Sequence, residues 1–158
     1  MVGKNKGKTF DISVHVPFVV RAPFLIRASG VSAAITDFTD LFPTFAEVAG
    51  AKLSDGLKLD GHSLVPVLSG ESQGKREWIH SQLGKSRVIR DATHKLNSDG
   101  GLFDLREDPL EKHDLRDTTA PDVVAVRKRL SEVLNHLPED ASAPFDEYRG
   151  TQRKKNRK

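Results

Sequence analysis

The sequence predicts a chain of mixed α and β structure in two parts, the second a small antiparallel sheet followed by one helix. Three observations support this prediction. An apolar run and a helix-type segment come first. A polar stretch at 71–77 then separates them from the rest of the chain. Beyond it, short β-branched segments precede one long amphipathic helix. With 158 residues, of which 37% are apolar and 30% charged, the chain is long enough for one core or two small ones.

The first part predicts one strand and one helix. Phe18 to Ala22 is short and β-branched, and Pro17 precedes it where a missing N–H does least harm to a sheet, so we expect a strand. The segment "TDFTDLFPTFAEVAG" predicts a helix that Asp37 or Asp40 can cap and Gly50 can end. Its apolar stripe is expected to be core and consists of Leu41, Phe45, Val48 and Ala49.

The second part follows a single helical turn that Ser63 can cap and Gly70 would end. Turn residues separate three strand candidates, which are Trp78–Gln82, Ser86–Arg90 with a continuation toward Lys95, and Gly101–Leu105. Pro121 to Leu137 then predicts a helix, with Thr118 or Thr119 as its cap. The predicted units are residues 1–72, residues 73–138 and a disordered basic tail at 139–158.

Composition excludes several classes of site. The chain has no cysteine, so disulfides, thiolate zinc sites and cysteine nucleophiles are absent from it. Its six histidines show no H-x-H or H-x-x-x-H spacing, so no histidine metal site is expected. No apolar run approaches the ~20 residues of a membrane span. Arg21 and Arg27 interrupt the run that a signal peptide would need, so no leader is visible.

Four segments resemble, in order, the motifs of one enzyme family: "FDISVHVPFVVRAP", "TDFTDLFPTFAEVAGA", "LDGHSLVPVLSG" and "LFDLREDPLEKHDL". Together they resemble the C-terminal part of a type I sulfatase (arylsulfatase- or iduronate-sulfatase-like) of the alkaline phosphatase superfamily. The resemblance implies the end of an α/β domain followed by a small α+β subdomain. The activity it implies is hydrolysis of sulfate esters by a sulfuric ester hydrolase.

The resemblance also implies which catalytic parts this sequence lacks. In the family, a formylglycine made from a C/S-x-P-x-R motif is the nucleophile, and a calcium ion held by acidic side chains binds the sulfate. Neither segment is present, since the nearest serine look-alike, Ser142-Ala143-Pro144, has no following arginine. We therefore expect a C-terminal fragment that is inactive alone and holds no cofactor. Its expected partner is a sulfated small molecule or sugar once a catalytic half is supplied, and no membrane is expected.

One active-site residue of the family has a candidate here. Upstream of the (Y/F)-(E/D) pair, the family carries a lysine that contacts the sulfate. Counting back without gaps from Phe10-Asp11 places this catalytic lysine at Lys6, whereas a shortened loop would place it at Lys8. Alternatively, both are merely solvated. His15 stands where the family carries arginine, so it is a candidate substrate-binding residue or a packing residue.

Two further features have competing interpretations. Asp108, Glu111 and Asp114 suggest a carboxylate cluster, but their D-P-x-E-x-x-D context favours turn and capping chemistry before the last helix. The tail "TQRKKNRK" offers a second function, a non-catalytic module that binds anions or another protein. Short basic termini are common and usually only solvated, so binding to nucleic acid is not expected.

Overall fold

A four-stranded antiparallel sheet and one long helix form the best-packed part of the chain. The structure, a computed structural model, describes residues 8–26 and 30–138. The helices are α1 (Asp11–Val14), α2 (Leu41–Val48) with a 3-10 turn at Phe38–Asp40 before it, α3 (Val65–Leu68) and α4 (Pro121–His136). The strands are β1 (Ile79–Leu83), β2 (Ser86–Arg90), β3 (His94–Asn97) and β4 (Leu102–Asp104).

The sheet is a meander in which each strand pairs with the next, in the order β1-β2-β3-β4. The prediction of an antiparallel sheet with one C-terminal helix is therefore confirmed. The continuation predicted after Arg90 forms a separate strand, because the chain turns at Asp91. The Asp91 carboxylate accepts hydrogen bonds from the backbone N–H groups of Thr93 and His94 in that turn.

Successive residues of a strand point to opposite faces, so the sheet has two faces with different coverings. Ile89, Leu96 and Leu102 form one face, pack against Leu130 and Leu134 of α4, and are buried with them. The core of the chain therefore lies between this face of the sheet and α4. The opposite face carries Arg90, Lys95 and Phe103, which are register partners across three strands.

The Arg87 side chain of β2 joins the sheet to the C-terminal end of α4. The Arg87 guanidinium donates to the carbonyl oxygens of Leu134 and Leu137 at 2.6 and 3.0 Å, where the C-terminal carbonyls of a helix lack intrahelical partners. At the other end, the predicted threonine caps are wrong. The N-cap is Ala120, whose side chain makes no capping hydrogen bond. Pro121 begins the helix, because proline at the first position loses no helical hydrogen bond.

The helix predicted from "TDFTDLFPTFAEVAG" is present, and its start is built as the sequence suggested. Asp37 and Asp40 form a capping box at the 3-10 turn. The Asp37 carboxylate accepts from the Thr39 N–H, and the Asp40 carboxylate accepts from the Asp37 N–H. Gly50 follows α2 with a φ of 64°, the left-handed conformation that glycine adopts without strain. The prediction that the stripe of this helix is core is wrong for this chain, because Phe45 and Val48 are 65% and 45% exposed.

The predicted strand at Phe18 to Ala22 is also absent. No strand of the described residues pairs with residues 15–22, and Phe18 and Val19 are exposed. A strand exists only where a neighbour completes its hydrogen bonds, so an apolar β-branched run is not sufficient. The tail at 139–158 lies outside the described residues, and the division at residue 72 stays a prediction.

Candidate functional site

The segment from Lys8 to Asp11, called here the lysine loop, lies against the sheet face opposite α4. Thr9 Oγ1 is 3.0 Å from Ser86 Oγ, which joins the loop to the start of β2. The N–H of Asp11 donates to Glu111 Oε1 at 2.5 Å. The loop is thus joined through hydrogen bonds to residues far away in the sequence.

A buried ion pair lies beneath the lysine loop. Lys95 of β3 and Glu111, whose side chains are each 1% exposed, form it through Nζ and Oε2. The same ammonium donates to the Thr9 carbonyl oxygen at 2.8 Å. A buried charge is tolerated when it is paired and hydrogen-bonded, and both conditions are met for this pair.

Glu111 reaches the pair from an uncommon backbone conformation. Its φ is 54°, the positive value that non-glycine residues rarely adopt. Residues on either side carry out the turn chemistry that the sequence predicts: Asp108 accepts from the His113 N–H at 2.7 Å, and Asp114 from the Leu102 N–H at 3.1 Å. The prediction of turn chemistry thus holds for the two aspartates, but it missed the ion pair of Glu111.

Asp11 makes a second set of contacts where the loop passes into α1. Its Oδ1 lies 2.6 Å from Arg90 Nε, an ion pair held by charge, since neither atom is aligned for a hydrogen bond. Its Oδ2 lies 3.4 Å from Nδ1 of His15, whose side chain is 68% exposed. His15 therefore faces solvent beside Asp11, and its predicted role in substrate binding stays a prediction.

An open cleft of about 380 Å³ lies beside the lysine loop. Its lining residues are Lys8, Thr9, Phe10, Leu83, Ser86 and Lys95. The ammonium groups of Lys8 and Lys95 lie 5.4 and 5.6 Å from the centre of the Phe10 ring, within the range of a cation–π contact. Because Glu111 neutralises Lys95, Lys8 is the lysine at this cleft whose charge is open to an anion.

The structure thus places one of the two candidate lysines. Lys8 is exposed at the cleft, whereas Lys6 lies outside the described residues.

Among residues 8–26 and 30–138, no three His, Asp or Glu side chains come together as ligands for a metal ion. Those described residues therefore do not fit a calcium site. Within the same ranges, no helix has the length and apolar character needed to cross a bilayer.

A second buried ion pair stabilises the start of α2. Arg76 donates through Nε to Asp40 Oδ2 at 3.2 Å and pairs through its terminal nitrogen with Oδ1. Burial alone would raise the pKa of Asp40, but hydrogen bonds from Arg76 and from the backbone of His62 and Asp37 outweigh it and lower the pKa. This pair fastens the "LDGHSLVPVLSG" segment to α2, because His62 N–H donates to Asp40 Oδ1 at 2.8 Å.

The lysine loop thus lies on one face of the antiparallel sheet, and α4 packs on the other face. Comparison with known proteins gives the family. Residues 5–140 match the family described as N-sulphoglucosamine sulphohydrolase, C-terminal. The chain therefore belongs to the sulfatases, in the family of this C-terminal domain, and the sulfatase resemblance of its four motifs is confirmed.

Individual relatives agree with the family. The chain is 27% identical over 163 residues to the ulvan-active sulfatase of Formosa agariphila, covering 76% of this chain and 32% of that protein. It is 40% identical over 69 residues to the steryl-sulfatase of Mus musculus, covering 44% of this chain and 11% of that protein. The chain thus spans about a third or less of these relatives.

A solved structure supports the fold. That structure is of a protein in complex with its own substrate, D-glucosamine-2-N,6-O-disulfate. The present chain matches it with a TM-score of 0.61 at 23% sequence identity. The match covers 77% of this chain and 29% of that one. At this identity the likeness is one of fold, and it confirms the predicted fold class.

Proposed function

We propose that this chain acts as the C-terminal part of a sulfate-ester hydrolase and supplies the lysine that contacts the sulfate. The observation that carries the proposal is the seating of the lysine loop on the sheet, with Lys8 exposed at the cleft. The sulfatase family of residues 5–140 supports the same activity. Lys6 is the first candidate for the contact by its spacing from Phe10-Asp11, and Lys8 is the alternative.

A lysine in this place helps the reaction by electrostatics. As the ester bond breaks, negative charge grows on the leaving oxygen and on the sulfate oxygens. A nearby ammonium that is shielded from water stabilises this charge more strongly in the transition state than in the ground state. The lysine needs no proton transfer for this role. It needs a fixed position, which the contacts at Thr9 and Asp11 support, and shielding from water, which we assign to other segments of a complete enzyme.

The remaining catalytic steps require groups that we assign to other segments of a complete enzyme. The sequence offers no cysteine and no C/S-x-P-x-R motif for a formylglycine. We therefore propose that residues 1–158 alone do not hydrolyse sulfate esters. For the substrate class we propose a sulfated sugar, since the structural neighbour binds a sulfated glucosamine and one curated relative is named for activity on ulvan.

The proposal is tested by titrating the chain with sodium sulfate while following its backbone amides by NMR. We expect saturable shifts at the residues of the lysine loop with an affinity in the millimolar range, about −4 kcal/mol, typical of one or two charged contacts. Sodium chloride at matched ionic strength controls for screening. Uniform shifts that depend only on ionic strength would contradict the proposal.

Variants then separate the two lysines. Lys6→Met and Lys8→Met each remove one charge and keep most of the side-chain length. We expect the variant of the contacting lysine to lose the saturable shifts and the other to keep them. Lys128→Met is the matched control, because Lys128 is exposed on α4 and does not line the cleft. Sulfate binding that survives both loop variants would rule out this loop as the contact.

A further inference from the structure

We propose that Lys95 and Glu111 are positioning residues that fix the lysine loop for sulfate contact, an inference that rests on the function proposed for that loop. The two side chains hold the loop through its backbone. Lys95 Nζ donates to the Thr9 carbonyl oxygen at 2.8 Å, and Glu111 Oε1 accepts from the Asp11 N–H at 2.5 Å. These two hydrogen bonds, called here the backbone clamp, flank Phe10.

The backbone clamp has a direction that an ordinary ion pair lacks. A lysine can only donate hydrogen bonds, and an ionised glutamate can only accept them. The Thr9 carbonyl requires a donor and the Asp11 N–H requires an acceptor. Lysine at 95 and glutamate at 111 meet both requirements, whereas the reverse order would meet neither. A pair that only joined β3 to the turn after β4 would work in either order.

The clamp also sets the charge at the cleft. Lys8 and Lys95 both lie close to the Phe10 ring, at 5.4 and 5.6 Å from its centre. Glu111 neutralises Lys95 directly beneath the loop. The ammonium of Lys95 can therefore lie near Lys8 without repelling it. The sheet thus fixes the loop and leaves the charge of Lys8 free to meet an anion. Position and charge are thus controlled by the same two residues.

The test compares amide hydrogen exchange in the 158-residue chain and in two Glu111 variants. Glu111→Gln and Glu111→Met remove the same negative charge, but glutamine keeps an oxygen that can accept from Asp11 and methionine does not. We expect the Asp11 amide to exchange about ten-fold faster in the methionine variant than in the glutamine variant, since exchange follows the local opening of each hydrogen bond. Equal rates in the two variants would overturn the clamp.

The charge-swapped double variant, Lys95→Glu with Glu111→Lys, tests direction. It restores the ion pair but presents an acceptor to the Thr9 carbonyl and a donor to the Asp11 N–H. We expect fast exchange in the lysine loop and slow exchange at Ile89 and Leu96, which report the sheet. Slow loop exchange in the swapped chain would overturn the proposal. If the swapped chain fails to fold, the glutamine and methionine pair decides alone.

A sulfate titration of Lys95→Met links the clamp to function, and Lys128→Met is its control for the loss of one lysine charge. Lys128 is exposed on α4 and does not line the cleft. We expect sulfate affinity to fall about five-fold or more in Lys95→Met and to stay unchanged in Lys128→Met. Equal affinities would overturn the positioning role. The absence of any sulfate-dependent shift in the unmodified chain would instead overturn the proposed function, so the exchange data and the titration distinguish the two failures.

Discussion

Lys95 Nζ lies 2.8 Å from the backbone carbonyl oxygen of Thr9, a residue 86 positions earlier in the chain. The contact joins the small C-terminal sheet to the loop whose lysines resemble the sulfate contact of sulfatases. In the function that we propose, this contact lets the sheet fix the position of a lysine that meets the sulfate.

Arg76→Met is expected to destabilise the first half of the chain strongly. Arg76 is the partner of Asp40, whose side chain is 1% exposed, and the variant leaves that carboxylate buried and unpaired. Removal of one member of a buried pair costs about 3–5 kcal/mol. Urea unfolding followed by circular dichroism measures the loss. Arg106→Met is the control, since Arg106 pairs with Asp104 at the surface, and we expect a much smaller loss there.

Stability is expected to fall in acid below about pH 4, because aspartates of the unfolded chain bind protons there while the same aspartates of the folded chain stay ionised. Hydrogen bonds from Arg106 lower the pKa of Asp104 from 3.8 to about 2. For Asp91, burial acts to raise the pKa, but hydrogen bonds from Arg129 and from the backbone of His94 and Thr93 outweigh it and lower the pKa. A carboxylate whose pKa is lower in the folded chain than in the unfolded chain stabilises the fold fully at pH values above 3.8. This contribution to the free energy of unfolding is lost as the pH falls through the folded-state pKa.

Asp40 follows the same rule, so Asp40→Asn should flatten part of this acid dependence. The check is the free energy of unfolding of both chains at about pH 6 and about pH 3, with the larger drop expected in the unmodified chain. The same drop in both chains would show that Asp40 does not contribute to the acid dependence.

Gly61→Ala is expected to disrupt the junction between α2 and the segment that precedes α3. A Cβ built on Gly61 would lie 1.9 Å from the Thr39 carbonyl oxygen and 2.8 Å from the Asp40 nitrogen. Backbone atoms cannot move aside without breaking the contacts of Asp40, so we expect a loss of about 1–3 kcal/mol or more. Gly30→Ala is the control, because its Cβ meets nothing within 4 Å. Equal melting temperatures for the two variants would contradict the described packing.

Phe45→Glu is expected to reduce self-association of the chain without unfolding it. Phe42 and Phe45 of α2 are 54% and 65% exposed, and neighbouring apolar residues of this size favour association. Substitution at an exposed position should change the unfolding free energy by no more than about 0.5 kcal/mol. Sedimentation velocity measures association, and Phe103→Glu, at a buried position of β4, should by contrast unfold the sheet. Unchanged association of Phe45→Glu would contradict the prediction.

The elements that the sequence predicts correctly are those that local chemistry controls. The meander and α4 follow from turn residues and from an apolar period, and both are found nearly at the predicted residues. The strand at Phe18 to Ala22 fails because a strand depends on neighbours that no local pattern contains. The stripe of α2 fails for a similar reason, since apolar spacing shows which face is to be buried and not what buries it.

The candidate site shows the same limit. Motif spacing indicates the loop, with Lys6 as its candidate lysine and Lys8 as the alternative of a shortened loop, but it does not indicate Lys95. Lys95 and Leu96 are neighbours on β3, so their side chains point to opposite faces of the sheet. Since Leu96 faces α4, the alternation predicts that Lys95 points to solvent on the opposite face. That face is covered by the lysine loop, a contact between residues 86 positions apart that alternation alone cannot indicate. Glu111 is missed because its motif also describes a turn.

The function that we propose depends on a lysine of this chain that contacts the sulfate. Its most direct test is a chimaera in which residues 5–140 replace the matching region of the ulvan-active sulfatase of Formosa agariphila, assayed by sulfate released from ulvan. We predict that the chimaera hydrolyses ulvan and that one of Lys6→Met and Lys8→Met lowers kcat by about 10²–10³-fold, the effect of removing one transition-state charge contact. Sulfate release at an unchanged rate from both lysine variants would contradict the account.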